Sequence, residues 1–315
     1  MADKPGLLVV GELPEWDLHA LAARFTLHLY YAAPNKPALL KQHAGSIRAI
    51  CTKGEIGADA ALMDAAPACE IIACYGVGVD AIDLAAAKAR NIPVTNTPDV
   101  LTEDVADMAI GLMLAAGRRL LAGDAWVRNG AWAHRGSFPL TTRMWGKRLG
   151  IVGLGRIGAA IARRAEPFGM TIHYSGRTPK PGIAYTHHAT PAAMAPHVDV
   201  MIVSAMGGPT TLGLVDARAI AALRPGAIFV NVSRGSVVDE AALLAALRDG
   251  HIGAAGLDVF LNEPRIDEEF LSFPNVVLQP HAASGTVETR QDMGRLMREN
   301  LEAKMDGRPL LTPVL

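Results

Sequence analysis

Arg234, Glu263 and His281 are the residues whose types, taken together, could do chemistry. A guanidinium is a planar, permanently charged fork that can grip a carboxylate and a neighbouring carbonyl oxygen at once. An imidazole titrates near neutral pH and can hand a proton to an oxygen that is gaining negative charge. A carboxylate on the imidazole's other nitrogen orients the ring and favours its protonated form. Such a set suits reduction of a carbonyl beside a carboxylate, where the carbon takes a hydride and the oxygen a proton. That chemistry requires no metal. Taken singly, each residue has a plainer reading: a helix-flanking surface arginine, a loop charge beside Pro264, a hydrogen-bonded core histidine after Pro280.

Context brings the three together. Arg234 lies in Asn231-Val232-Ser233-Arg234-Gly235, Glu263 in Asn262-Glu263-Pro264 after Leu257-Asp258-Val259-Phe260, and His281 in Gln279-Pro280-His281-Ala282-Ala283-Ser284. Each stretch follows a short apolar run of strand character: Ala227–Asn231, Ala254–Val259 and Val276–Leu278. In a doubly wound sheet the carboxyl ends of the strands line one crevice, so three distant residues can converge there.

The hydride donor is indicated by Gly153-Leu154-Gly155-Arg156-Ile157-Gly158. A bare GxGxxG is a weak signal, but this one directly follows the apolar run Leu149–Val152 and opens a segment of helical period. Gly153 permits a tight turn, Gly155 lets backbone approach a pyrophosphate, and Gly158 lets helix and strand pack closely. The phosphates would sit on the free N–H groups and positive end of the helix. About twenty residues on, an NAD site carries an acidic residue for the ribose hydroxyls. Here Ser175-Gly176-Arg177-Thr178 stands instead, followed by Lys180, and no acidic residue occurs between Glu166 and Asp199. Loss of the carboxylate removes its repulsion of a 2′-phosphate, and Arg177 with two hydroxyls supplies donors. NADP(H) is the expected cofactor, with NAD(H) as the lesser one.

The elements that must position these residues follow from hydrophobic periodicity. Short apolar runs alternate with Ala/Leu-rich helical segments, the pattern of parallel sheets covered by helices. Runs at Leu7–Val10, Ile47–Cys51, Ile71–Cys74 and Val94–Asn96 form a first series, with a helix expected over Asp80–Arg90. A long helix is expected over residues 102–121. A second series comprises Arg148–Val152, Thr171–Tyr174, Val200–Ser204 and the three runs above, with helices over Arg156–Phe168, Asp216–Leu223, Asp239–Arg248 and Thr286–Met305. The expected fold class is α/β, two doubly wound parallel-sheet domains, the second of Rossmann type.

Composition narrows the rest. A chain of 315 residues suits two domains, and half of it is hydrophobic. A formal net charge of −1, with both signs spread along the chain, gives no reason to expect nucleic acid or an anionic membrane as partner. Cys51, Cys69 and Cys74 show no CxxC spacing and read as buried thiols of a reducing compartment. The N-terminus lacks a long apolar segment, and the longest apolar stretch, Met108–Gly117, is about half a membrane span. A cytoplasmic protein is expected.

The whole set, in order, resembles the D-isomer-specific 2-hydroxyacid dehydrogenase family nearly end to end. The resemblance is carried by Gly76-Val77-Gly78-Val79-Asp80, Asn96-Thr97-Pro98-Asp99-Val100-Leu101-Thr102, the glycine motif, Val232-Ser233-Arg234-Gly235, Gly256-Leu257-Asp258-Val259-Phe260 with Glu263-Pro264, and Pro280-His281. Asp104-Val105-Ala106-Asp107, the Gly176-Arg177-Thr178 turn and Ser284-Gly285-Thr286-Val287-Glu288-Thr289-Arg290 resemble the glyoxylate/hydroxypyruvate and hydroxyphenylpyruvate reductase branches. The resemblance implies that Arg234 binds substrate, Glu263 assists and His281 donates the proton. It implies that backbone N–H groups at Val77 and Gly78 meet the substrate carboxylate, and that Asp258, Val105, Val232 and Ser233 line the cofactor. It further implies a flavodoxin-like substrate domain over 1–98 and 287–315, a dinucleotide domain over 99–286, domain closure over the bound pair, and a homodimer built by the helix after Thr102 and its following arm.

Other keto acids remain open as substrates: phenylpyruvates, pyruvate or a sugar-derived keto acid. A phosphoglycerate dehydrogenase is disfavoured by the missing ribose acid, and a formate dehydrogenase by the Arg/His pair, which that reaction does not need. A dinucleotide-sensing interaction protein of corepressor type is the alternative outside enzymes, but it does not demand a complete Arg/Glu/His set. Trp132, Phe138 and Trp145 fit either a substrate pocket or subunit packing.

Overall fold

The computed structural model describes residues 4–315. The chain forms two compact units, Met1–Leu101 with Thr286–Leu315, and Thr102–Gly285. These bounds put residues 99–101 and 286 with the first unit. A hydrogen bond from the Thr289 hydroxyl to the Val100 carbonyl, at 3.3 Å, ties that segment to the C-terminal helix.

The first unit is built on a parallel sheet of β1 (Gly6–Val9), β2 (Thr26–Leu29), β3 (Ile47–Thr52), β4 (Ile71–Cys74) and β5 (Val94–Thr95), in spatial order β2-β1-β3-β4-β5. That is the flavodoxin-like order. Strands β1 and β4 are buried throughout, as apolar runs covered by helices on both faces must be. Edge strand β2 reads Thr-Leu-His-Leu, with too little apolar run to announce itself. The helix expected over Asp80–Arg90 spans only Leu84–Ala89, because the Asp83 side chain accepts the Ala86 N–H and starts the helix there. The last helix, Val287–Met305, belongs to this unit: an added Cβ at Gly294 would lie 1.8 Å from Asp17, so only glycine admits that contact. Buried Asn300 then gathers the tail, its side-chain oxygen accepting the N–H groups of Leu311 and Thr312.

The second unit holds β6 (Arg148–Val152), β7 (Thr171–Ser175), β8 (Thr186–His188), β9 (Val200–Val203), β10 (Ala227–Asn231), β11 (Ile252–Leu257) and β12 (Val276–Leu278). All are parallel, in order β12-β11-β10-β9-β6-β7-β8, so the order reverses between β6 and β9. A ligand crevice forms at such a switch point, outside the carboxyl ends of the strands. The long helix expected to residue 121 ends at Gly117, and a second helix, Leu120–Arg128, follows after Arg119 in the left-handed region (φ 50°). At Gly117 a Cβ would meet Met144 at 2.6 Å and Ile228 at 2.8 Å, so the helix end packs without a side chain.

All three cysteines are buried and outside any disulfide, and burial pushes the thiols of Cys51 and Cys69 up to about 12 and about 11. Cys51 and Cys69 therefore carry no thiolate near neutral pH. Among the described residues no helix is long and apolar enough to cross a membrane.

Candidate active site

The glycine turn follows β6 directly. Gly153 adopts φ 90°, and a Cβ there would meet the Ala205 backbone at 2.7 and 2.9 Å, so the turn after β6 presses against the chain leaving β9. Ser204 closes the same contact, its hydroxyl donating to the Gly153 carbonyl at 2.9 Å. At Gly158 a Cβ would stand 2.3 Å from the Gly153 carbonyl oxygen, so helix and strand could not pack with any other residue. Gly155 is different: nothing lies within 4 Å of its would-be Cβ, and it opens the helix Arg156–Ala165 without any side-chain cap. An open, side-chain-free backbone before an uncapped helix start is what a pyrophosphate needs. Leu154 is buried beneath the turn, while Arg156 is exposed and Ile157 half-buried in the first helical turn.

Ser175, the last residue of β7, buries a hydroxyl oxygen that has no hydrogen-bond partner. Next to it, Gly176 is open and Arg177 and Thr178 are exposed. An orphaned buried hydroxyl beside an exposed guanidinium fits a dinucleotide ribose and its phosphate. Val105 is buried in the first turn of the helix Thr102–Gly117. That helix is clamped beside the glycine helix by Glu103 with Arg163 (3.1 Å) and Arg164 (2.6 Å), and by Asp107 with Arg164 (2.6 Å).

At the far end of the sheet three loops meet. Asn231, buried at the end of β10, accepts the N–H and hydroxyl of Ser233 at 3.0 and 2.9 Å and donates to the Arg234 carbonyl at 3.1 Å. Asn231 is a functional residue that its type alone does not announce. Its signal was an amide, a residue able to donate and accept, closing an apolar strand before a tight turn. Val232 and Ser233 are buried, Arg234 half-buried. Gly235 then touches Phe260 so closely that a Cβ would lie 2.0 Å from its backbone, which brings the Arg234 loop against the loop carrying Glu263.

Glu263 accepts the Phe260 N–H on one oxygen at 2.9 Å and meets His281 Nδ1 with the other at 2.6 Å. Burial pushes the Glu263 carboxyl up. The His281 hydrogen bond, the Phe260 N–H and the charges of His281 and Arg234 outweigh it, so the group titrates below its ordinary value. Arg234, Glu263 and His281 therefore share one electrostatic site. His281 sits in the left-handed region (φ 53°), which a non-glycine residue holds only when its surroundings dictate it. Asp258 dictates it. Its carbonyl accepts the His281 N–H at 2.8 Å, and its carboxylate oxygens accept the N–H groups of Ala282 and Ala283 at 2.7 and 3.0 Å. Burial raises the Asp258 carboxyl, and those bonds with the His281 charge offset the rise only in part.

In the first unit, the segment after β4 is pinned by its carbonyls. Those of Gly76, Val77 and Gly78 accept the Thr97 N–H (2.9 Å), the Asn96 side chain (2.8 Å) and the Cys74 thiol (3.2 Å).

A model of the D-isomer specific 2-hydroxyacid dehydrogenase NAD binding domain matches residues 110–283. The chain is 46% identical to a glyoxylate/hydroxypyruvate reductase A of Arabidopsis thaliana, over 98% of this chain and 99% of that protein. It is 45% identical to a hydroxyphenylpyruvate reductase of Plectranthus scutellarioides, with the same coverage. A crystal structure of an NADPH-dependent glyoxylate/hydroxypyruvate reductase of Sinorhizobium meliloti, in complex with NADP and malonate, superposes with a TM-score of 0.93 at 46% identity, covering 99% of this chain and 97% of that one.

Proposed function

This chain belongs to the D-isomer specific 2-hydroxyacid dehydrogenase family, and from that membership we propose that it reduces a small 2-keto acid, glyoxylate or hydroxypyruvate, with NADPH. The observation that carries the reading is the 2.6 Å contact between Glu263 and His281 Nδ1 within reach of the Arg234 charge. A nicotinamide held there would supply the hydride for C2 of the substrate. Arg234 holds the carboxylate and polarises the keto oxygen, where its fixed charge meets the negative charge that develops. With Nδ1 committed to Glu263, His281 Nε2 is the nitrogen that delivers the proton to that oxygen. Substrate, hydride and proton together give the 2-hydroxy acid.

For the cofactor, Gly153, Leu154, Gly155, Arg156, Ile157 and Gly158 would cradle the pyrophosphate. Ser175, Gly176, Arg177 and Thr178 would take the ribose and its 2′-phosphate, with Val105, Val232, Ser233 and Asp258 around the nicotinamide side. Asp258 has a second task in this scheme, because it also fixes the backbone that presents His281. The reading extends to a cytoplasmic homodimer, supported by three buried cysteines outside any disulfide and by the apolar arm that follows Gly117.

Absorbance at 340 nm tests the activity. NADPH consumption with glyoxylate or hydroxypyruvate supports it, and none across a panel of 2-keto acids overturns it in favour of dinucleotide sensing. Hydroxyphenylpyruvate is the second substrate to include, since a reductase of that compound is 45% identical to this chain. A kcat/KM highest for the aromatic acid would move the assignment to that branch.

A further inference from the structure

Strand β8 is the edge of the seven-stranded sheet and lies beside β7, setting Tyr174 against His187 and Ser175 against His188. Past Ser175 the chain turns through Gly176 into exposed Arg177 and Thr178. Gly176 has no side chain to fix that turn and has open space where a Cβ would stand, so its conformation rests on its backbone bonds. Both come from β8. The Gly176 N–H donates to the His188 carbonyl at 3.2 Å, and the Gly176 carbonyl accepts from His187 Nε2 at 2.9 Å.

A carbonyl can only accept, so Nε2 carries the hydrogen in that bond, in a neutral ring or an imidazolium alike. The His187 ring rests against Tyr174, with centroids 5.1 Å apart. Tyr174 is itself buried, and its hydroxyl accepts the Lys180 N–H at 2.8 Å, tying down the other end of the same turn. An edge strand and a buried ring thus hold a segment that otherwise stands in solvent. Arg177 can meet a phosphate with a paired fork only if its backbone starts from one place, and that order is cheaper to supply beforehand than on binding.

We propose that His187 is a positioning residue for cofactor selectivity, locking the Gly176 carbonyl so that Arg177 and Thr178 are presented to the ribose 2′-phosphate. The proposal rests on the NADPH reading above. No signal in the sequence marks His187, because the bond runs between strands and the ring belongs to neither the glycine motif nor the turn.

The test compares the wild-type enzyme with His187→Ala, His187→Gln and Arg177→Ala. The readouts are KM for NADPH and NADH with saturating hydroxypyruvate, and Kd for 2′,5′-ADP and 5′-AMP by calorimetry. His187→Ala should raise the NADPH KM and the 2′,5′-ADP Kd about tenfold, the loss of roughly one well-placed hydrogen bond. NADH, 5′-AMP and kcat should move by less than about twofold, because their groups lie away from the turn. Glutamine places an amide N–H where Nε2 stood and should recover most of the loss. Equal losses for both cofactors, or no loss, overturn the proposal. A wild-type enzyme that binds 2′,5′-ADP no better than 5′-AMP overturns the NADPH reading and this proposal with it. A wild-type preference erased by Arg177→Ala but untouched by His187→Ala overturns this proposal alone.

Discussion

At the scale of single residues, the proposed reaction turns on one proton and on the carboxylate that would keep it. Removing the ring in His281→Ala should cut turnover in the reductive direction by about a hundredfold or more, since general acid catalysis is worth about 10²–10⁴. Steady-state kcat with hydroxypyruvate reads it, and unchanged turnover removes His281 from the mechanism. The carboxylate can be tested separately. Glu263 titrates below its ordinary value in the folded protein, so its ionised form is present throughout the neutral range. Its contribution to stability is full above the unfolded value and fades as pH falls through the folded one. The coupling is mutual: the ionised Glu263 favours the protonated imidazole. In Glu263→Gln the ring should surrender its proton at lower pH, so the alkaline fall of kcat/KM for reduction shifts to lower pH. A profile whose alkaline limb stays in place would show that Glu263 does no more than hold the loop.

Elements explain why those residues could be read from the sequence at all. The glycine turn, the three loops and their strands were legible because each couples a continuous apolar run to a residue of special conformation or charge. Strands β2 and β8 were not legible. Both are short edge strands with polar residues, Thr-Leu-His-Leu and Thr-His-His, whose pairing is dictated by the sheet beside them rather than by their own pattern. The Asp258 clamp escaped for a related reason. A buried aspartate after an apolar strand has the same appearance whether it faces a ligand or a backbone turn. The opposite ends of the strands carry a counterpart clamp without chemistry: Asp199, before β9, accepts the Arg148 guanidinium at 2.7 and 3.0 Å and its N–H at 3.0 Å. The Arg148 hydrogen bonds outweigh burial and hold the Asp199 carboxyl at about 2. Its stabilising effect is therefore full above the unfolded value of 3.8 and lost as pH falls from there through about 2. Asp199→Ala should lower stability by about 1 kcal/mol at neutral pH, discounted for partial exposure, and leave kcat unchanged. Urea titration at pH 7 and pH 2.5 checks it: the difference from wild type should shrink at the lower pH, and a difference equal at both would assign the effect to packing.

For the molecule as a whole, the sequence conveyed two sheets and their classes, yet it could not show what the arm after Gly117 is for. The helix Leu120–Arg128 buries none of its residues against its own chain. Leu120, Leu121, Val127, Trp132, Leu140 and Trp145 are between 54% and 99% exposed, all within one stretch of chain. Phe138 packs edge-on against Trp126, with ring centroids 5.7 Å apart, and so stiffens the arm from within. A helix this short gains little from its own hydrogen bonds, and its order has to be repaid by burial elsewhere. Apolar side chains concentrated in this way mark an interface, and a second copy of the chain is the partner we propose to cover it. Sedimentation equilibrium at micromolar concentration should return about twice the 33.2 kDa of one chain. Replacing Trp132 and Leu140 together, as Trp132→Ser and Leu140→Asp, should shift the population to single chains with an unaltered far-ultraviolet dichroism spectrum, because neither side chain contributes to either core. A wild-type protein that sediments as one chain at that concentration would return Trp132 and Trp145 to the other role open to them, shaping the substrate pocket, and a substrate-dependent change in their fluorescence would then be the measurement to make.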